Sequence, residues 1–310
     1  MKQRLFTGTY TALVTPFADG KVDEEALEKL IQVQIKAGVD GVVPVGTTGE
    51  SPSLDYEEHI RVIEAVIDFA EGKVKVLAGT GGNSTTEAVY LTKAAEDAGA
   101  DGSLQVAPYY NKPTQEGLFQ HFKTIAASTR LPIVLYSIPG RCGIEIGVET
   151  VQRLAATCPT IAGIKEAGGN PDRVSQLRAV LGEDFTILSG DDSLTLPFLA
   201  VGADGVVSVA SNVIPRDVAQ MVKAFQAGKL EAAQKVHHKF FPLFRALFLE
   251  TNPIPVKAAL AMMEEIEEEY RLPLVPMGAA NRQALKAALQ GCGVLKPAGS
   301  TSATLSPIKV

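Results

Sequence analysis

Short apolar runs alternate along the chain with longer stretches in which apolar positions recur at helical spacing. Eight of these runs are continuously apolar, which is typical of parallel strands that are buried on both faces. They cover residues 11–17, 41–48, 74–81, 102–110, 132–139, 161–168, 185–192 and 205–212. The segments 23–38 and 86–100 have the spacing of amphipathic helices, and Gly38 is a natural helix stop.

The number of strand–helix units distinguishes between two α/β folds. Eight units at a spacing of roughly 20–33 residues match a (β/α)8 TIM barrel. The alternative, a doubly wound sheet, usually has fewer strands and a complete G-x-G-x-x-G loop. Residues 79–82 (Gly-Thr-Gly-Gly) resemble a phosphate loop only in part and are better explained as a strand-to-helix turn.

The alternation ends near residue 228, and the segments 230–250, 252–270 and 277–291 have helical patterns only. We therefore predict a (β/α)8 catalytic barrel over 1–228 and a C-terminal helical domain over 229–295. Residues 296–310 are rich in Ser, Thr, Pro and Ala, which predicts a flexible tail rather than an arm that docks on a partner.

Composition excludes several classes of protein. The formal net charge is −6 and no basic stripe is present, so nucleic acid is not an expected partner. No apolar run approaches the ~18 residues of a membrane span, and residues 1–10 lack the apolar core of a signal peptide. The three cysteines have no metal-like spacing, which favours a reduced cytoplasmic protein.

Lys165 is the most unusual residue among the predicted strands. It lies within an otherwise apolar strand, although lysine is seldom fully buried. In a purely structural role it would face outward or pair with Glu50 or Glu166. In a functional role, desolvation would favour the neutral amine, which attacks a ketone to give an imine without metal or cofactor.

Hydroxyl groups follow the neighbouring strands and supply candidates for proton transfer. Catalytic residues of a barrel lie at the C-terminal ends of its strands. The candidates there are Thr47, Thr48, Tyr109, Tyr110 and Tyr136. Each tyrosine taken alone is more often a packing residue with a satisfied hydroxyl, and the threonine pair between glycines is equally explained as a tight turn.

Arg141 follows the fifth predicted strand. It is either a solvated surface charge or a bidentate clamp on a carboxylate. The pair Asp191 and Asp192 is weak evidence for Mg²⁺, and His237 and His238 have no third ligand, so no metal site is expected.

Taken together, these motifs resemble the dihydrodipicolinate synthase family of the N-acetylneuraminate lyase superfamily, from about Phe6 to about residue 290. The superfamily markers are residues 46–50 (Gly-Thr-Thr-Gly-Glu), Tyr136 and the Lys165 strand. The closer markers are the paired threonines, residues 108–113 (Pro-Tyr-Tyr-Asn-Lys-Pro), Arg141, residues 188–192 (Leu-Ser-Gly-Asp-Asp) and residues 252–257 (Asn-Pro-Ile-Pro-Val-Lys).

The resemblance implies a role for each matching residue. Lys165 corresponds to the Schiff-base lysine, and Tyr136, Thr47 and Tyr110 correspond to the proton relay, with Tyr110 supplied across a subunit interface. Thr48 and the backbone near Val207 would hold the carboxylate of pyruvate. Arg141 would receive the carboxylate of L-aspartate 4-semialdehyde, and Gly190 would lie near the pyruvate pocket.

The resemblance also implies inhibition by L-lysine at a dimer interface. The matching positions are Ser51, Pro52, Tyr56, His59, Asn83, Glu87 and Tyr109. Asn83 and Glu87, one helical turn apart, are suited to the charged ends of an amino acid. A homotetramer built as a dimer of dimers is expected from the family.

The implied activity is the condensation of pyruvate with L-aspartate 4-semialdehyde in lysine and diaminopimelate biosynthesis. Ser137 and Cys142 depart from the family pattern and bear on the second substrate. One alternative is a sialic acid or 2-keto-3-deoxy sugar acid aldolase of the same superfamily, which Arg141 and the Tyr109–Tyr110 pair disfavour. Another is a non-catalytic barrel that binds a small acid.

Overall fold

The computed structural model describes residues 4–296. Eight parallel strands close into a barrel in the order β1-β10-β9-β8-β7-β6-β5-β4, which confirms the predicted fold. The barrel strands are β1 (Gly8–Ala12), β4 (Gly41–Val43), β5 (Lys75–Gly79), β6 (Gly102–Val106), β7 (Ile133–Ser137), β8 (Ile161–Glu166), β9 (Thr186–Ser189) and β10 (Gly205–Ser208). The short strands β2 (Phe17–Ala18) and β3 (Lys21–Val22) form a separate antiparallel pair.

Helices follow the barrel strands and then continue alone. Those of the barrel are α1 (Glu24–Ala37), α2 (Tyr56–Ala70), α3 (Thr85–Ala98), α4 (Gln115–Ala127), α5 (Pro139–Cys142), α6 (Val148–Thr157), α7 (Asp172–Val180), α8 (Thr195–Ala200) and α9 (Pro215–Gln226). The C-terminal ones are α10 (Leu230–Ala246), α11 (Ile254–Met262) and α12 (Ala279–Gly291). Within residues 4–296, none of the helices has both the length and the apolar character needed to cross a bilayer.

The first helix illustrates how local sequence sets these boundaries. The side chain of Asp23 accepts a hydrogen bond from the Ala26 backbone at 2.9 Å, which caps the free N–H groups of the first turn. Gly38 ends α1 in the left-handed conformation at φ 78°, which glycine adopts at little cost. Leu27 and Leu30 lie on its buried face and fix it against the barrel.

The predicted apolar runs extend beyond the C-terminal ends of the barrel strands, and two predicted elements depart from the structure in other ways. The first strand spans Gly8–Ala12 instead of 11–17, because Gly8 pairs with Gly205 where only glycine allows the backbones to approach so closely. The second C-terminal helix ends at Met262 rather than near residue 270. A run of five glutamates between 264 and 269 follows, and negative charge at a helix C-terminus opposes the helix dipole.

The C-terminal helices pack against the barrel and each other, with α10 contacting α9 and α12, and α11 contacting α12. The predicted domain boundary at 228/229 falls between α9 and α10 and stays a prediction. The predicted tail lies outside the described residues, apart from Lys296.

Candidate active site

Lys165 and Tyr136 face each other across two neighbouring strands. They are directly paired in the ladder between β7 and β8. Both are buried, with exposed fractions of 6% and 5%. The Lys165 Nζ lies 4.0 Å from the centre of the Tyr136 ring. The parallel register therefore brings an amine and a phenol together inside the barrel.

The surroundings of Lys165 favour its neutral amine. Burial lowers its pKa to about 7, against the opposing attraction of Asp192, and the positive charge of Arg141 lowers it further. The two carboxylates that sequence offered as ion-pair partners bind elsewhere. Glu50 pairs with Lys257 at 2.6 Å, and Glu166 pairs with Arg173 at 2.8 Å. The ion-pair interpretation of Lys165 is therefore wrong.

Gly190 makes room for the lysine side chain. It follows β9, and its backbone N–H donates to the Glu166 carbonyl at 2.8 Å. A Cβ at this position would lie 3.1 Å from Lys165 Cε and 2.6 Å from the Ala167 Cβ. The absence of a side chain at Gly190 thus sets where the amine lies.

If Lys165 forms the imine that the resemblance implies, Gly190→Ala should displace its amine and slow imine formation about 10²-fold, the cost of a shift of about 1 Å in a reacting group. The rate at which borohydride traps pyruvate would measure this. Gly291→Ala is the matched control, because its Cβ meets no atom within 4 Å. Equal trapping rates in the two variants would contradict the assignment.

A cavity of about 220 Å³ opens beside this pair. Of the residues singled out from sequence, it is lined by Thr47, Ser51, Pro52, Tyr109, Tyr136, Arg141 and Cys142. Lys165, Thr48, Val207 and Gly190 do not line it. Val207 is buried in β10, opposite Tyr10 of β1.

Tyr136 keeps its proton in this environment. Burial raises its pKa to about 12, while Arg141 and a polar contact with the Thr47 hydroxyl favour the phenolate. A phenol with an adjacent hydroxyl can donate and accept a proton in turn. Thr47 and Tyr136 are therefore in polar contact, as two members of the predicted relay would be.

Tyr110 does not reach the site of its own chain. Its side chain is 91% exposed, and its backbone is in the left-handed region at φ 70°. Non-glycine residues rarely adopt this conformation, and local strain of this kind clusters at functional segments.

The segment that precedes α11 contacts the site through Asn252, which sequence reasoning did not single out as a site residue. The Asn252 side-chain amide donates to the Thr48 hydroxyl at 3.0 Å. The guanidinium of Arg141 donates to the Asn252 backbone carbonyl at 3.0 Å. The sequence signal for Asn252 was its position in the motif 252–257, but a motif does not say which residues its members contact.

The residues of the hypothetical lysine site gather at one side of the cavity. They come from the 3₁₀ turn Ser51–Ser53, helices α2 and α3 and the segments after β5 and β6. Burial and the nearby Glu87 raise the pKa of Tyr109, and the rings of Tyr56 and Tyr90 lie 5.8 Å apart. His59 is buried and hydrogen-bonds the Gly79 carbonyl at 2.8 Å.

One premise about this cluster is wrong. Asn83 precedes α3, which begins at Thr85 with Ser84 as its cap, so Asn83 and Glu87 do not share a helical turn. The side chain of Asn83 instead donates to the Tyr109 carbonyl at 3.2 Å. Asn83 therefore holds Tyr109, and its amide oxygen faces away from that bond.

The acidic pair after β9 caps backbone N–H groups. Asp191 Oδ1 accepts from Ser193 N at 2.8 Å, and Asp192 Oδ2 accepts from Val209 N and Ala210 N at 3.0 and 2.9 Å. In the described part of the chain, no cluster of three or more His, Cys, Asp or Glu side chains is placed to hold a metal.

The two departures from the family pattern differ in position. Ser137 is fully buried, does not line the cavity and accepts from Ile146 N at 3.4 Å. Cys142 lines the cavity, and its thiol donates to the Ala107 carbonyl at 3.2 Å. Ser137 therefore lies away from the expected semialdehyde end, and Cys142 is the one that borders it.

Comparisons with known proteins identify the family and the fold. The family model described as "Dihydrodipicolinate synthetase family" matches residues 5–292. A 4-hydroxy-tetrahydrodipicolinate synthase from Sulfurihydrogenibium sp. is 51% identical, covering 94% of this chain and all of the relative. The solved synthase from Methylacidiphilum fumariolicum SolV is 56% identical with a TM-score of 0.92, covering 93% of this chain and 96% of that one.

A third relative was solved with lysine bound. This structure, from Cyanidioschyzon merolae, is 42% identical with a TM-score of 0.92, covering 94% of this chain and all of that one. The match of the family model over nearly the whole chain, together with these identities, shows that the chain belongs to the dihydrodipicolinate synthetase family.

Proposed function

We propose that this protein condenses pyruvate with L-aspartate 4-semialdehyde, the activity of a 4-hydroxy-tetrahydrodipicolinate synthase in lysine and diaminopimelate biosynthesis. The observation that carries the proposal is the buried Lys165, whose amine lies 4.0 Å from the Tyr136 ring. The names of relatives about half identical over nearly full length support the choice of substrates.

In the first half-reaction, the neutral Lys165 amine attacks the ketone carbon of pyruvate. A C–N bond forms, the carbonyl oxygen takes up protons and leaves as water, and a protonated imine remains. Tyr136 and Thr47 would carry those protons, and the polar contact between their hydroxyl groups supports this role. Thr48 would hold the pyruvate carboxylate, with backbone near Val207 and space at Gly190 completing the pocket.

In the second half-reaction, the pyruvate methyl group loses a proton, and the imine accepts the electron pair to give an enamine. The enamine carbon then attacks the aldehyde carbon of the second substrate, whose oxygen takes a proton, and the imine on Lys165 is restored. The amino group of the semialdehyde adds to the imine carbon, the C–N bond to Lys165 breaks, and the cyclic product leaves with the Lys165 amine free again. Arg141 lines the cavity and is suited to the semialdehyde carboxylate. Every step uses groups of the chain and the substrates, so no metal or cofactor is proposed.

The test is the initial rate of pyruvate consumption on adding L-aspartate 4-semialdehyde to the purified protein. A semialdehyde-dependent rate is expected. No rate, in a protein that still traps pyruvate with borohydride, would overturn the second substrate and point to a sugar acid or another aldehyde. Absence of trapping would overturn the Schiff-base mechanism and leave a small-acid binding barrel.

Imine formation should depend on pH through Lys165. Its pKa is lowered to about 7, and only the neutral amine attacks a carbonyl, so the trapping rate should rise through about pH 7 and then level off. Asp192 favours the ammonium form, so Asp192→Asn should move the profile to lower pH. The measurement is the rate of cyanoborohydride trapping against pH. A rate that does not vary with pH would contradict the role of the amine.

We further propose that Tyr110 serves the site of a partner subunit within a homotetramer. Tyr110→Phe and Lys165→Ala should each be inactive as pure proteins. Refolded together, about a quarter of the sites should regain activity, because one chain then supplies the lysine and its partner the tyrosine. No recovery would place Tyr110 within its own chain or outside the mechanism.

We propose that L-lysine binds the cluster of Ser51, Pro52, Tyr56, His59, Asn83, Glu87 and Tyr109. Glu87 lies beside Tyr109, and its carboxylate is suited to an amino acid's ammonium group. Titration of the initial rate with L-lysine tests this, and Glu87→Gln should weaken inhibition while leaving the uninhibited rate in place. Inhibition unchanged by this variant would move the lysine site elsewhere.

A further inference from the structure

We propose that Asn252 is a positioning residue that aims the Thr48 hydroxyl at the carboxylate of the first substrate and fixes Arg141 relative to it. The proposal rests on the proposed function of Thr48 and Arg141, and it adds a third residue, from the C-terminal domain. Asn252 lies just before α11, and its exposed fraction is 6%.

The direction of the hydrogen bond to Thr48 carries the argument. The side-chain nitrogen of Asn252 has only donor hydrogens, so the Thr48 oxygen, 3.0 Å away, must accept. The Thr48 proton is then directed away from Asn252 and is available to an acceptor. A substrate carboxylate is such an acceptor, and a hydroxyl oriented in advance binds it without further ordering.

The other end of the same residue holds Arg141. Its backbone carbonyl accepts from Arg141 Nη2 at 3.0 Å and leaves the other N–H groups of the guanidinium for a ligand. Asn252 Oδ1 is buried without a hydrogen-bond partner in the described part of the chain. The side-chain amide therefore uses its nitrogen, on Thr48, and leaves its oxygen without a partner. One residue therefore sets the spacing between the two proposed carboxylate-binding side chains.

The two contacts predict different effects for a side-chain variant. Asn252→Ala removes the donor to Thr48 and keeps the backbone carbonyl that holds Arg141. The KM for pyruvate should rise about tenfold, the worth of one hydrogen bond to a charged group, while the KM for semialdehyde stays within about twofold. Asn252→Asp replaces the donor nitrogen with an acceptor oxygen and adds a negative charge near the proposed carboxylate site, and it should also raise the pyruvate KM.

The test is a double-mutant cycle between Asn252→Ala and Thr48→Val, read as the pyruvate concentration that half-saturates borohydride trapping. Because Asn252 acts through Thr48, the double variant should match Thr48→Val within about twofold. Asn281→Asp is the matched control: its side chain donates to Glu250 Oε1 at 2.9 Å and should leave half-saturation unchanged.

The proposal would be overturned if the effects of the two substitutions on half-saturation multiplied in the double variant. It would also be overturned by an equal rise in the two KM values of Asn252→Ala, or by an unchanged pyruvate KM in Asn252→Asp. Trapping needs no second substrate. The cycle therefore still reports on Asn252 if the protein uses another aldehyde. Failure of the Asn252 proposal can thus be distinguished from failure of the proposed second substrate.

Discussion

Replacing Lys165 with alanine should abolish borohydride trapping of pyruvate and lower kcat by roughly 10³- to 10⁶-fold, the range seen when a covalent nucleophile is removed. No other amine is paired with Tyr136 in the strand ladder, so nothing replaces the imine. The measurements are mass spectrometry of the trapped adduct and the semialdehyde-dependent rate. Labelling that continues in Lys165→Ala would place the imine on another lysine.

Two controls separate chemistry from folding. Lys29→Ala changes a lysine whose side chain is 63% exposed and should leave both trapping and rate unchanged. Tyr136→Phe keeps the amine and removes the phenol, so trapping should persist at a lower rate while kcat falls about 10²- to 10⁴-fold. If Tyr136→Phe lost trapping as fully as Lys165→Ala, the phenol would be needed for the imine to form.

Replacing Lys257 with methionine should lower the free energy of unfolding by about 3–5 kcal/mol, because it leaves a buried carboxylate without its counter-ion. Lys257 Nζ lies 2.6 Å from Glu50 Oε1, and the side chains are 0% and 1% exposed. The ammonium also lies 4.2 Å from the centre of the Phe17 ring. Chemical denaturation at fixed protein concentration is the measurement.

The matched control is Lys29→Met. Lys29 also pairs with a glutamate at 2.7 Å, but its partner Glu25 is 80% exposed and solvent screens the pair, so no measurable loss of unfolding free energy is expected. Adding Glu50→Gln to Lys257→Met removes the unpaired charge and should recover part of the loss. A Lys257→Met variant as stable as Lys29→Met would show that the buried pair contributes nothing.

The barrel was predictable because it depends on local patterns. Eight continuous apolar runs alternate with helical spacing, and a right-handed parallel arrangement then leaves few topologies. Lys165 was visible for the same reason, since a lysine inside an apolar strand departs from the rule that charged residues stay at the surface. The first strand was misplaced because its position follows from backbone contact between Gly8 and Gly205, not from its own hydrophobicity.

The contacts that complete the site were beyond sequence patterns. Asn252 and Thr48 are separated by 204 positions, and Lys257 and Glu50 by 207. The periodicity of apolar positions relates residues three or four apart in a helix and two apart in a strand, so it does not reveal such distant pairs. Sequence also offered Glu50 as a partner for Lys165, and only the fold reveals that Lys257 takes that position.

The buried pair between Glu50 and Lys257 also bears on how the protein is made. Strand pairing can close the barrel once β10 has been synthesised, but Lys257 is translated 49 residues after Ser208. At about 5–20 residues per second, a growing chain would spend several seconds with Glu50 enclosed and no cation beside it. Until α11 leaves the ribosome, a closed barrel would therefore hold Glu50 buried without its cation, and a chain truncated before residue 257 would carry this cost permanently.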